Sequence, residues 1–356
     1  MLYIINILFG CFYLNFVKIE KWHDLWKISP IILLWTIIAG GQYHIGADYP
    51  LYFSYFNHFI GAPESRFEWL FAFITDLTIK AGFWGQGPFF VFAFINIVLI
   101  FAAGKIAKIS NWGIYYLLII TVAVIFNNQL NAVRQTAAVC LCFIAFLEFY
   151  DKKWIGVLFI LIGMGFHTSV VLCLPFFFIK KVTDFTSKFP LALLIISFVS
   201  AFIDSATSDF NNYLLSIMPD YLKENTHYAE AYENSEYSHS TSFIYRASKI
   251  ILIPLYWKSL MLIKKGCLTK YETDLFNLGF FAFMMRNLLL LNTLTGRLSF
   301  YFWIPSIFPL YYLMRHYWQN KKFLPFIIIT AWLIMPYITK IIVGTQNYAD
   351  SFIFFN

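Results

Sequence analysis

The chain is 356 residues long, 60% hydrophobic and 13% charged, with a mean hydropathy of +0.66. These proportions exclude an ordinary soluble domain and point to a membrane protein. The formal net charge of +7 follows from where Lys and Arg fall along the chain and does not imply a nucleic-acid partner.

Apolar runs able to cross a bilayer, or nearly so, recur from end to end. Predicted spans lie near 2–17, 28–44, 87–104, 112–127, 129–149, 154–165, 168–179, 189–203, 244–263, 274–293, 298–314 and 323–343. This predicts an all-α fold: a polytopic integral membrane helical bundle of about twelve transmembrane helices, forming a single domain over 1–356 with both termini outside. The first run, Leu2 to Val17, lacks a basic n-region and a small-residue cleavage site, and reads as a retained helix. Segments 46–60 and 67–83 read as interfacial helices on the outer leaflet, because counting 67–83 as a span would put Lys105 and Lys108 outside. The short pair 154–165 and 168–179 predicts a hairpin turning within the membrane at Gly165-Phe166-His167.

Charge sets the topology. Seventeen of the 26 basic residues fall in six short patches: Lys18/Lys21/Lys27, Lys105/Lys108, Lys152/Lys153, Lys180/Lys181/Lys188, Lys258/Lys264/Lys265/Lys270 and Arg315/Lys321/Lys322. The positive-inside rule assigns these to the cytoplasm. Segment 204–243 carries seven acids against one base, Lys223, and reads as a large extracytoplasmic loop. The five cysteines, Cys11, Cys140, Cys142, Cys173 and Cys267, form no metal-ligand spacing and read as small buried hydrophobes.

A few polar residues stand out against this apolar background. Arg134 sits in a window that turns wholly apolar as far as Phe146; a guanidinium there is costly unless it holds an anion. Arg134, Arg246 and Arg297 all fall near the predicted outer ends of helices, with Arg286 deeper. The planar fork of Arg suits phosphate, although each could instead reach lipid headgroups or pair with an acid such as Asp48. His167, in Gly165-Phe166-His167-Thr168-Ser169, is either a proton acceptor near neutral pH or a satisfied core residue. Asp48, in Gly46-Ala47-Asp48-Tyr49, could be a base, a sugar-hydroxyl acceptor or an arginine partner. The aromatics around it, Tyr43, Tyr49, Tyr52, Phe53, Tyr55 and Phe56, suit an interfacial belt or sugar stacking. There is no phosphate-binding Walker loop, no metalloprotease motif, no acidic metal pair between spans and no nucleophile elbow, so neither metal nor cofactor is expected.

Four motifs in order, Gly46-x-Asp48-Tyr49-x-x-Tyr52, Val133-Arg134-Gln135-x-x-Ala138, Phe166-His167-x-Ser169 and Arg297-Leu298-Ser299-x-Tyr301-Phe302, resemble the EpsG/Wzy-type polysaccharide polymerases of bacterial surface-glycan clusters. The resemblance runs from about 40 to 315. The Glu-Pro that usually follows the Asp-Tyr motif in that family is matched only in part, by Phe67-Glu68-Trp69-Leu70. The resemblance implies a multi-pass glycosyltransferase of the bacterial inner (cytoplasmic) membrane with its active site facing the periplasm. Its substrates would be undecaprenyl-diphosphate-linked oligosaccharide repeat units, and it would need no nucleotide sugar or metal. The product would be O-antigen, capsule or exopolysaccharide, and a flippase and a chain-length regulator are the implied partners. Arg134 and Arg297, with Arg246 as a third, would bind the diphosphates. His167 or Asp48 would accept the proton, with Gln135 and Ser169 orienting them and Tyr49 contacting the glycan. Other readings are a lipid-linked oligosaccharide flippase or another transporter, whose charges should line a path between the two faces, and a glycan ligase sharing the same chemistry. A membrane O-acyltransferase is disfavoured because His167 has no acidic or histidine partner nearby in sequence.

Overall fold

The computed structural model describes residues 2–46, 48–57, 67–200, 250–289 and 298–343. Among these residues the fold is helical, with no strand. The helices, in chain order, are α1 (Leu2–Phe16), α2 (Ser29–Gly40), α3 (Tyr49–Asn57), α4 (Trp69–Lys80), α5 (Gly87–Ile106), α6 (Trp112–Thr121), α7 (Ile125–Asn131) and α8 (Val133–Glu148). They continue with α9 (Lys153–Met164), α10 (Ile179–Thr186), α11 (Pro190–Val199), α12 (Ile253–Lys264), α13 (Lys270–Leu289), α14 (Phe308–Gln319) and α15 (Phe323–Val343). Short 3-10 segments occupy Trp22–Ile28, Thr168–Phe178, Phe300–Phe302 and Pro305–Ile307. One described helix, α5, is long and apolar enough to cross a bilayer, and up to three crossings result if each of two bent helix pairs counts as one. The acidic segment 204–243 lies outside the described residues.

The chain divides into two compact units, Met1–Ile179 with Met314–Asn356, and Lys180–Leu313. In the first unit, α5 packs against α2 and α8, α6 against α1, and α9 against α8 and the Thr168–Phe178 segment. Helix α5 starts at Gly87-Pro88, where proline costs no hydrogen bond, and runs for about 30 Å at 1.5 Å per residue. Just before its first turn, Gln86 accepts from the Tyr49 hydroxyl at 3.3 Å and donates to the Gly40 carbonyl at 2.7 Å. At its other end Lys105 donates to the Glu20 carbonyl at 2.5 Å. Two of the predicted lysine patches therefore meet at one end of α5, with Tyr49 at the opposite end. Beside the first patch, Asp24 accepts from the Glu20 and Lys21 backbone N–H groups and pairs with Lys27 at 2.6 Å. Lys27 and these N–H donors hold its carboxyl well below the usual carboxylate range.

The boundary expected between spans 112–127 and 129–149 is corrected. Helix α6 ends at Thr121, Val124 takes a left-handed conformation (φ 52°), and α7 follows at an angle of 47° to α6. A second break falls at Ala132 (φ −111°, ψ 63°), so α8 begins at Val133. The cause lies in α7, Ile-Phe-Asn-Asn-Gln-Leu-Asn, where three of the four side-chain amides each bind a different neighbour. Asn127 accepts from the Tyr337 hydroxyl on α15 at 2.7 Å, and Gln129 accepts from the Trp35 indole on α2 at 2.8 Å. Asn131 accepts from the Asp48 backbone N–H at 3.2 Å. A buried amide left without such a partner would be costly, so these bonds outweigh a continuous helix.

In the second unit, α13 packs against α11 and the Pro305–Ile307 turn. Tyr256 stacks on Phe283 with centroids 3.8 Å apart, and its hydroxyl donates to the Ser306 carbonyl. Arg286 is buried, with its guanidinium 4.7 Å from the Trp303 ring centroid. Trp303 in turn donates to the Ser299 hydroxyl at 3.1 Å. The motif residues Ser299, Tyr301 and Phe302 are thus core residues of this unit.

Candidate functional site

The break at Ala132 places Arg134 and Gln135 in the first turn of α8, where no side chain caps the helix. Two turns of chain converge on that point. Gly46 (φ +84°) makes the first possible: a Cβ there would lie 2.6 Å from Asn131 Oδ1, the atom that receives the Asp48 N–H. The second is the junction of α4 with the end of α9. The Gly165 carbonyl accepts the backbone N–H groups of Leu70 at 2.9 Å and Phe71 at 3.0 Å. A Cβ on Gly165 would sit 2.6 Å from Leu70 Cβ. This docking brings Glu68, the residue before α4, onto the His167 turn.

Glu68 is the hub. One carboxylate oxygen accepts from Arg134 Nη1 at 2.5 Å. The other accepts from Thr168 through its backbone N–H at 3.1 Å and its hydroxyl at 3.2 Å. Arg134 also lies 5.0 Å from the Phe67 ring centroid, within cation–π range, and hydrogen-bonds Tyr52. Burial, with smaller contributions from Asp48 and Glu68 and opposed by Arg134, pushes the Tyr52 phenol up to about 12. The pair is not sealed: 22% of the Arg134 side chain and 12% of that of Glu68 remain exposed.

His167 is buried at the start of the Thr168–Phe178 segment. Its Nδ1 receives the Ser169 backbone N–H at 3.4 Å and contacts the Ser169 hydroxyl at 2.8 Å. A backbone N–H can only donate, so neutral His167 carries its proton on Nε2. In that tautomer Nε2 is a hydrogen-bond donor.

Of the residues singled out from sequence, Asp48, Arg134, Gln135, His167 and Ser169 belong to this one region of the first unit. Tyr49 turns away from it. Its ring is buried between Phe53 and Phe89, with centroids 5.5 and 5.2 Å away, and its hydroxyl is held by Gln86. Tyr52, Tyr55 and Phe56 are likewise buried, against Phe67, Phe71 and Phe89. Where an interfacial belt or sugar platform was expected, these rings form a packing layer beneath the site. Arg246 and Arg297 lie outside the described residues. The expected hairpin at Gly165-Phe166-His167 is present in form, since α9 and the following 3-10 segment pack on each other.

The model of the EpsG family matches residues 25–353. The chain belongs to the EpsG family. No curated protein and no solved structure matches it. EpsG membership and the apolar helices together make this a membrane protein with a polysaccharide-polymerase-type role. The Glu68 that only partly matched the family pattern is thus the residue that joins the Arg134 and His167 motifs of this EpsG protein.

Glu68, Thr168 and Asn131 were not among the predicted site residues, and Tyr52 was read only as part of a motif and of the aromatic cluster. For Glu68 the signal was available: an acid beside an apolar run must find a cation or a set of N–H donors. No comparable signal marked Asn131, because its partner is a backbone N–H.

Proposed function

We propose that this EpsG-family protein is a polysaccharide polymerase. It transfers a growing glycan from undecaprenyl diphosphate to the non-reducing end of a new lipid-linked repeat unit, at the outer face of the bacterial cytoplasmic membrane. The observation that carries the reading is the partly exposed Arg134 guanidinium in the uncapped first turn of α8. A helix N-terminus and a guanidinium within one turn form a favourable seat for phosphate. Gln135, buried beside Arg134, orients it.

In this reading the acceptor hydroxyl oxygen bonds to the anomeric carbon while the bond from that carbon to the diphosphate oxygen breaks. Negative charge develops on the departing diphosphate, where Arg134 and the helix terminus stabilise it. His167 contributes an Nε2–H donor toward the same oxygens. The proton of the attacking hydroxyl passes to a carboxylate of the cluster, Asp48 or Glu68. Arg246 and Arg297 are assigned to the diphosphate of the second lipid-linked unit. The lysines gathered at the far end of α5 support an outward-facing site, since basic ends stay in the cytoplasm. A flippase delivering repeat units and a chain-length regulator are the fitting partners.

The test is the surface-glycan ladder of a deletion strain complemented with wild type or Arg134→Ala. Collapse to single-repeat product, restored by wild type alone, is the expected result. Lipid-linked units accumulating on the cytoplasmic side would identify a flippase instead. Finished polymer that is not transferred to its final acceptor would identify a ligase.

A further inference from the structure

Arg134 cannot hold a diphosphate and Glu68 with the same edge of its guanidinium. Nη1 is already 2.5 Å from the Glu68 carboxylate, and a phosphate seated on that edge must displace it. Resting on the polymerase reading above, we propose that Glu68 competes with the lipid diphosphate for Arg134 and, once displaced, accepts the proton of the attacking hydroxyl.

Three features of the site support this exchange. First, Glu68 has somewhere to stay: Thr168 holds its other oxygen by two hydrogen bonds, so losing Arg134 leaves the carboxylate anchored beside His167. Second, the pair is partly exposed, so Arg134 can change partners without the full cost of exposing a buried charge. Third, among the described residues Arg134 is the charged group paired with Glu68. Tyr52, from α3, interacts with Arg134, Glu68 and Asp48 alike, and His167 adjoins Thr168. With the diphosphate on Arg134, the Glu68 carboxylate stays anchored on Thr168 beside the seated donor, where it can accept the proton of the attacking hydroxyl. The proton leaves the sugar hydroxyl for the Glu68 carboxylate, the hydroxyl oxygen forms the new glycosidic bond, and undecaprenyl diphosphate departs as the anion on Arg134.

The same arrangement keeps the Arg134 charge balanced by Glu68 until a lipid diphosphate arrives. It also distinguishes Glu68 from a residue that only positions Arg134. Removing a positioning residue weakens binding, whereas removing a competitor tightens it.

The experiment uses full-length protein in lipid nanodiscs titrated with undecaprenyl diphosphate, paired with the glycan ladder of the same variants in cells. If Glu68 occupies Arg134 about nine-tenths of the time, Glu68→Gln should bind about tenfold tighter, while its polymer is lost. Glu68→Asp, one methylene too short to span Thr168 and Arg134, should also bind tighter but keep part of the polymer, because the acid is retained. It carries the test if Glu68→Gln is not recovered folded. Inorganic pyrophosphate should compete at least about tenfold more weakly, because it lacks the apolar tail; equal affinity would overturn the lipid as occupant. Unchanged or weaker binding by both Glu68 variants, with wild type still binding better than Arg134→Ala, would overturn the role of Glu68 alone. Wild type binding no better than Arg134→Ala would overturn the polymerase reading as well.

Discussion

The carbonyl of Gly165 receives the backbone N–H of Leu70 at 2.9 Å, closing a gap of nearly a hundred residues with a main-chain bond. That bond, and its companion from Phe71, dock the start of α4 onto the end of α9 and deliver Glu68 to Thr168. Adding a methyl group at Gly165 would put a carbon 2.6 Å from Leu70 Cβ. Gly165→Ala should force α4 outward at a cost of about 1–3 kcal/mol, and polymer should fall while the protein still reaches the membrane. Membrane-fraction immunoblots beside glycan ladders make the check; a full-length ladder would show that α4 can move without harm.

Arg134→Lys keeps the charge but replaces a planar fork by a point donor. Polymer formation by Arg134→Lys should drop by about a hundredfold or more, close to the loss in Arg134→Ala. In vitro chain extension with lipid-linked repeat units measures it, and activity near that of wild type would mean that charge alone suffices.

Ser169 fixes the His167 ring through Nδ1 at 2.8 Å. Ser169→Ala removes the shorter of the two Ser169 contacts to Nδ1, so the ring should reorient and turnover fall about tenfold, with undecaprenyl diphosphate affinity little changed. A Ser169→Thr variant, which retains the hydroxyl, should recover most of the loss. Failure of Thr to rescue would argue that space, not the hydroxyl, matters at 169.

Tyr52 bears on alkaline stability. Its phenol is held neutral to about 12, whereas an unfolded tyrosine ionises near 10. The raised value stabilises the fold fully below about pH 10 and is lost as pH climbs through about 12. Tyr52→Phe cannot ionise, so the melting temperature of detergent-solubilised variant should decline less steeply between pH 10 and 12 than that of wild type. Parallel slopes would place the Tyr52 phenol in water.

Much of this site is legible in sequence. Arg134, His167 and Asp48 each stand out as polar residues that an apolar chain must have a reason to keep, and the fold gathers them into one region. The partner of Arg134 was harder to read. Glu68 precedes Arg134 by 66 residues, on a segment read as interfacial, and although an acid beside an apolar run calls for a partner, nothing local says which one it finds. Helix boundaries failed for a related reason. Hydropathy sees the run from 112 to 149 as nearly continuous, while the breaks at Val124 and Ala132 are set by hydrogen bonds to Trp35, Tyr337 and the Asp48 backbone. Tyr49 misled because aromatic character cannot distinguish a ring offered to a sugar from one stacked on Phe89.

The short helix α7 uses every second side chain. Asn127, Gln129 and Asn131 each bind a different part of the first unit, while Asn128, between the first two, shares in none of these bonds. Selection should therefore be felt there with a two-residue beat inside a helical stretch. In a saturation library scored for polymer, positions 127, 129 and 131 would reject apolar replacements that an apolar setting would otherwise favour, and position 128 would accept them. Such a comb-like record of tolerance would follow from what each amide holds, independent of any chemistry at Arg134.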